Sequence, residues 1–176
     1  MKLRATARRL SIAVGVAAAV LSLAATTSAA ASETDPFARF AAAGIQLDRL
    51  EPGWTVEGNT ILWDGGNTRL TIREPGAAAV QCPSGYVCLF EHDDLRGDMW
   101  ASNVRGRYHY LPDLDFNDKM SSWQNRSAYD ARWFVNVSGT PNPYYCMGAG
   151  LGSEHPPPSL NDKASAVYIY NSSTVC

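Results

Sequence analysis

The chain has 176 residues, 45% of them hydrophobic and 18% charged, with 14 Gly, 10 Pro, 4 Cys and a formal charge of −2. This is too apolar for a disordered chain and not basic enough for a nucleic-acid binder. It is also too short for most multidomain enzymes, so one compact domain plus processing segments is the expectation.

Lys2, Arg4, Arg8 and Arg9 precede an apolar run from Ile12 to Ala25, and Thr27 to Ser32 supply small residues after it. A basic start, a short apolar core and a small-residue cleavage site make the pattern of a secretory signal, predicted over residues 1–31. The run is short for a membrane span, and the mature chain is expected to be secreted and soluble. Without residues 1–31 the chain holds eleven Lys and Arg against seventeen Asp and Glu. That acidic balance argues against nucleic acid and anionic membranes as partners and is compatible with cations.

Residues 32–81 read as a small N-terminal appendage and linker. Asp35 and Pro36 open a short helix predicted to about Ala43. Residues 54–72 read as short strands broken at Glu57-Gly58-Asn59 and Asp64-Gly65-Gly66-Asn67, with Arg69-Leu70-Thr71-Ile72 alternating as a half-buried strand does. Residues 73–81 read as a linker.

Cys82, Cys88, Cys146 and Cys176 are an even set in an exported chain, which predicts two disulfides. Three connectivities are open. Cys82–Cys88 with Cys146–Cys176 is preferred, because Pro83-Ser84-Gly85 is a turn sequence that brings the first pair together. Zinc is disfavoured by the C-x5-C spacing and by the lack of a histidine motif.

Residues 82–176 form the body. Short aromatic and β-branched runs recur, such as Tyr86 to Phe90, Arg107 to Leu111, Trp133 to Val137 and Ala166 to Tyr170, punctuated by Gly, Pro, Asn and Asp. No helical period is sustained, so the prediction is an all-β sandwich. Trp123 and Trp133, at alternating strand positions, are expected in its core.

Two segments of the body nearly repeat. Phe116-Asn117-Asp118-Lys119-Met120-Ser121-Ser122 matches Leu160-Asn161-Asp162-Lys163-Ala164-Ser165-Ala166, 44 residues later. This period suits two copies of one four-stranded unit packed together. Each motif is rich in oxygen donors, the kind of ligand a calcium ion takes in sets of about six to eight. One motif is too short to wrap an ion, whereas two facing motifs can supply complementary halves. The competing reading is a plain Asx-turn with a serine cap.

The first motif resembles the βγ-crystallin calcium pattern, (Asn/Asp)-(Asn/Asp)-x-x-(Ser/Thr)-Ser. Phe90 to Gly97 resembles the corner hairpin of that fold, with Leu95 where an aromatic is more usual. Cys82-Pro83-Ser84-Gly85-Tyr86-Val87-Cys88-Leu89-Phe90 resembles exported actinobacterial proteins of the peptidase inhibitor family typified by Streptomyces metalloproteinase inhibitor. The resemblance covers Cys82 to Cys176 and implies a double Greek-key sandwich. It implies calcium ligands from Asn117 or Asp118, the Lys119 carbonyl and Ser121, and from Asn161 or Asp162, the Lys163 carbonyl and Ser165. Glu91 lies where a further corner ligand is found in that family, and Ser122 would hold the local turn. The second key departs from the pattern, since Ala166 replaces the last Ser and Trp133 to Gly139 fits the corner poorly.

No nucleophile elbow, H-E-x-x-H motif or phosphate-cradling glycine loop is present, so the chain is expected not to be an enzyme. His92-Asp93-Asp94 reads as a solvated hairpin tip. Two functions follow. The first is a secreted peptidase inhibitor, with a secreted protease as its partner, that inserts a rigid loop from Ser138 to Ser159, with Cys146 as its anchor and Tyr144, Tyr145 and Met147 as candidate contacts. The second is a calcium-binding extracellular structural or binding module without a protease target. A monomer is expected in both.

Overall fold

A computed structural model describes residues 37–50, 52–138 and 140–176. The expected signal segment lies outside the described residues. Near the start of the described chain, helix α1 (Ala38–Ala42) buries Phe40 completely. Three short strands follow, β1 (Thr55–Glu57), β2 (Thr60–Trp63) and β3 (Thr68–Thr71). The body supplies β4 (Val87–His92), β5 (Arg96–Ser102), β6 (Tyr108–Tyr110) and β7 (Ser122–Asn125). It then repeats the unit with β8 (Ala131–Phe134), β9 (Tyr144–Met147), β10 (Gly152–Ser153) and β11 (Ala166–Ile169).

These strands make two antiparallel sheets, β1-β2-β3-β5-β4-β7-β10 and β6-β11-β8-β9. Each four-strand unit sends its third strand to the other sheet, β6 onto β11 and β10 onto β7. The orders β5-β4-β7-β10 and β9-β8-β11-β6 are therefore the same order written for two copies. This is the double Greek key of a βγ-crystallin-like domain, and the 44-residue repeat is its pseudo-twofold.

Alternation builds the interior. Val87, Leu89 and Trp100 of the first sheet pack in one buried cluster with Trp133, Val167 and Ile169 of the second. Trp123 and Trp133 are 3% and 0% exposed, so both are core residues and not a surface platform. The opposite side of β4 is covered too. Cys88 and Phe90 pack with Cys82, Leu95, Met99 and Ala101 in a second cluster. A strand buried on both faces reads as an unbroken apolar run, which is what Tyr86 to Phe90 is.

Residues 55–71 are not set apart from the body. β3 pairs with β5 from Thr68↔Ser102 to Thr71↔Met99, and Thr68 and Ser102 share a buried hydroxyl contact of 2.9 Å. Phe40, Ile45, Ile61 and Leu70 join the same cluster as Trp100 and Trp133. The physical reason is the alternation itself: Ile61 and Trp63 on β2, and Thr68 and Leu70 on β3, are the buried members of their strands. A ribbon with one apolar face needs a second surface to cover it.

Both preferred disulfides are present, Cys82–Cys88 and Cys146–Cys176, which excludes the other two connectivities. Beside the second bridge Asp130 is 2% exposed. Its carboxylate accepts the backbone N–H groups of Ala149, Val175 and Cys176 at 3.0, 2.7 and 2.8 Å. Burial pushes its pKa up, but these donors, helped by Arg132, outweigh burial and hold it below the usual carboxylate range. A carboxyl held low in the native state stabilises the fold above the ordinary carboxylate pKa, and that contribution is lost as pH falls through the lowered value. Asp130→Asn is expected to cost about 2 kcal/mol at neutral pH. It should also flatten the acid limb of stability, read as melting temperature between pH 2 and 7.

Candidate functional site

The two Asn-Asp-Lys-x-Ser stretches sit just before β7 and β11 and lie against each other. The Asp118 N–H donates to the Ala164 carbonyl, and the Asp162 N–H donates to the Met120 carbonyl, each at 3.0 Å. These are equivalent bonds exchanged between the copies. Asp118 and Asp162 both occupy the left-handed region, at φ 55° and 53°. Short Asn and Asp side chains tolerate that conformation better than most. Asn117 donates its amide to Asp118 at 2.7 Å, and Asn161 to Asp162 at 2.8 Å.

The copies differ in what their serines do. Ser121 donates to Asp162 Oδ1 at 2.9 Å, joining two predicted ligands across the pseudo-axis. Ser165 instead donates to the Val135 carbonyl at 2.8 Å. The Lys119 ammonium pairs with Asp115, and Lys163 is exposed. Asp118 and Asp162 keep exposed carboxylates. Among the described residues no group of three or more His, Cys, Asp or Glu is placed to hold a metal. A site here would draw on serine, carbonyl and single carboxylate oxygens, the donor set that suits a hard cation.

The corner hairpin between β4 and β5 forms as its sequence requires. Asp94, Leu95 and Gly97 have φ of 60°, 57° and 72°. A Cβ on Gly97 would lie 2.9 Å from the His92 ring and 3.0 Å from Glu91 Cβ, so glycine is demanded by contact as well as by conformation. Ser122 pins the turn: its hydroxyl accepts from the Leu95 N–H at 3.1 Å and donates to the His92 carbonyl at 2.6 Å. The tip residues Asp93 and Asp94 face His155, at 3.7 and 3.1 Å, in an exposed cluster. Glu91 accepts the Asp98 N–H at 3.3 Å.

The second hairpin, between β8 and β9, has Ala166 where Ser122 stands in the first and lacks that hydroxyl pin. Tyr144, Tyr145, Cys146 and Met147, expected on a protruding loop, form β9 instead. Met147 is fully buried, Tyr145 stacks on Trp133 with ring centroids 6.0 Å apart, and Cys146 is bridged. The register with β8 sets Tyr145 and Met147 opposite Trp133 and Ala131 on the core side, and Tyr144 and Cys146 on the other face. Ahead of them lies the tip of the hairpin, described at residues 135–138 and 140–143. The Val135 N–H donates to the Pro143 carbonyl at 2.9 Å. Asn142 then clamps the tip, accepting the Asn136 N–H at 3.0 Å and donating to the Asn136 carbonyl at 2.8 Å. Val137, at 43% exposure, stands in solvent. Sequence reasoning passed over Asn142; its signal was the Pro141-Asn142-Pro143 alternation, a turn-forming residue between two stiff ones.

Residues 76–147 match peptidase inhibitor family I36. That family is one of inhibitors, in line with the expectation that the chain is not an enzyme. No curated protein sequence matches the chain. Among solved structures, a βγ-crystallin domain from work on the evolution of the eye-lens fold is 21% identical, with 53% of this chain and 92% of that chain covered and a TM-score of 0.43. A βγ-crystallin domain from Clostridium beijerinckii is 22% identical, with 48% and 95% covered and a TM-score of 0.37. Spherulin 3a from Physarum polycephalum is 19% identical, with 52% and 89% covered and a TM-score of 0.39. By its strand order and this family match, the chain is a βγ-crystallin-like protein that carries, over residues 76–147, the sequence pattern of peptidase inhibitor family I36.

Proposed function

We propose that the chain is a secreted, monomeric peptidase inhibitor that presents the β8–β9 tip, residues 135–143, to the cleft of an extracellular protease. The observation that carries this reading is the Asn142 clamp. A loop that inhibits must enter the cleft already ordered, since ordering it on contact costs affinity. Asn142 orders the tip with two hydrogen bonds, and the strands below are held by the Tyr145–Trp133 stack and the Cys146–Cys176 bridge. The family match spans the whole hairpin. Two disulfides suit an oxidising compartment, and no helix among the described residues is long and apolar enough to cross a membrane. In a panel of metalloproteases and serine proteases, at least one should be inhibited at micromolar protein. Asn142→Ala should weaken that inhibition about tenfold with an unchanged melting temperature. No inhibition anywhere in the panel refutes the reading.

A second reading, compatible with the first, is that calcium is held between the twin Asn-Asp loops and stabilises the fold. Its support is the contact of Ser121 with Asp162 across the pseudo-axis. Asn117, Asp118, the Lys119 carbonyl, Asn161, the Lys163 carbonyl and Ser165 are the further donors at hand. A cation bound only by the native state raises its stability by mass action. The melting temperature should therefore rise with millimolar calcium, and Asp118→Ala combined with Asp162→Ala should remove the rise. A wild-type melting temperature indifferent to calcium sinks this reading and leaves the inhibitor reading standing.

A further inference from the structure

Where the N-terminal layer meets the β6 edge of the second sheet there is a cavity of about 140 Å³. Trp63 and Trp100 line it and are buried, while Arg49, Tyr108, Tyr110 and Asp113 line it and are exposed, so the first two belong to its floor and the others to its rim. Trp100 is fully buried, and its indole N–H has no hydrogen-bond partner. A buried donor left unpaired is costly, and a bound acceptor relieves that cost.

The charges around this cavity cancel. Arg107 also lines it and is paired with Asp64. Arg49 and Asp113 add one charge of each sign. The complementary ligand is therefore neutral, and it must offer several hydroxyl groups to use both a guanidinium and a carboxylate. Aromatic walls ask for a ring with apolar faces. A cavity of roughly 150 Å³ takes one six-membered ring. A pyranose meets all of these demands.

The surface beside the cavity continues the same chemistry. Side chains alternate along β6, β11, β8 and β9, and the members in register away from the core are Tyr108 and Tyr110, Ala166 and Tyr168, Arg132 and Phe134, then Tyr144 and Cys146; of these Ala166 and Phe134 are buried and Tyr108, Tyr110 and Tyr144 are exposed. Ring centroids lie 4.9 Å apart for Tyr108 and Tyr168, 5.4 Å for Tyr108 and Phe134, and 5.9 Å for Phe134 and Tyr144. Arg132 lies over the Tyr144 ring at 4.2 Å. The ring planes are inclined by 63°, 58° and 53° in these three pairs, so the face offers phenol edges and tilted ring faces to a hydroxylated ligand, not one flat plane.

We propose that the cavity is a binding site for a pyranose glycan, one ring seated between Trp63 and Trp100 at the floor and Arg49 and Asp113 at the rim, and a neighbouring ring of the same glycan reaching the Tyr108–Tyr168 pair beside it. The proposal is independent of protease inhibition. The test is calorimetric titration of the full mature protein with chitotetraose, cellotetraose and xylotetraose and with the corresponding monosaccharides, while tryptophan emission is followed. At least one tetrasaccharide should bind saturably and alter the emission. Tyr110→Ala and Asp113→Asn should each weaken it about tenfold. Tyr168→Ala should weaken the tetrasaccharide and leave its monosaccharide unchanged. Absence of saturable binding by all three tetrasaccharides overturns the proposal. So does binding that Tyr110→Ala and Asp113→Asn leave untouched, as does protection of Tyr108 and Tyr110 by a protease with no sugar binding. Asp113→Asn changes an exposed group and keeps the test decisive should Tyr110→Ala fail to fold.

Discussion

Two backbone hydrogen bonds exchanged between Asp118 and Ala164, and between Asp162 and Met120, lock the halves of the body face to face. Both donors are aspartates in the left-handed region, which short polar side chains tolerate. Much else follows from that juncture. It places the serine of each motif beside the first strand of its own unit, where the Ser121 N–H meets the Phe90 carbonyl and the Ser165 N–H meets the Phe134 carbonyl. It also brings Met120 and Ala164 into the core between the sheets. A symmetric pair of bonds tolerates little drift, since moving one loop breaks both.

Around this shared frame the two units have parted. The first keeps a hydroxyl at Ser122, and its hairpin is drawn tight onto the sheet. The second has Ala166 there, and its hairpin closes farther out, through the side chain of Asn142. Where the first hairpin is held by a hydroxyl at its base, the second is held by a different polar group within the tip. Constraint has moved from the base of the loop to the loop itself. That is the requirement for a segment offered to a partner, because a loose tip would give up entropy at each encounter.

The fold was legible because its signals are local. Short aromatic and β-branched runs located the strands of the body, turn residues located their ends, and the 44-residue repeat disclosed the duplication. The cysteine pairing was legible from Pro83-Ser84-Gly85 for one bridge and from elimination for the other. The candidate site was read only in part. The Asn-Asp motifs announce themselves by composition, but Asn142 acts across a turn and carries no pattern beyond its two prolines. Tyr144 to Met147 looked like contact residues because apolar groups near prolines resemble a recognition loop; only the pairing with β8 shows that half of them point inward. The tyrosine face was hidden for a related reason. Tyr108 and Tyr110 are neighbours of Tyr168 through register across the sheet, and register is a long-range property. The same holds for residues 55–71, whose alternation marks strands without naming the strand they join.

The pairing of β3 with β5 decides which edge the first sheet presents. A sandwich made of the two keys alone would end its first sheet at β5, seven residues long, with Trp100, Ala101 and Ser102 fully shielded from water in the whole chain. Such a margin leaves open main-chain groups that invite a stranger's strand. The added ribbon shifts that margin outward to β1, three residues long and mostly wetted, with Glu57 at its end. The N-terminal layer thus works as a hem, replacing a long sticky border with a short polar one.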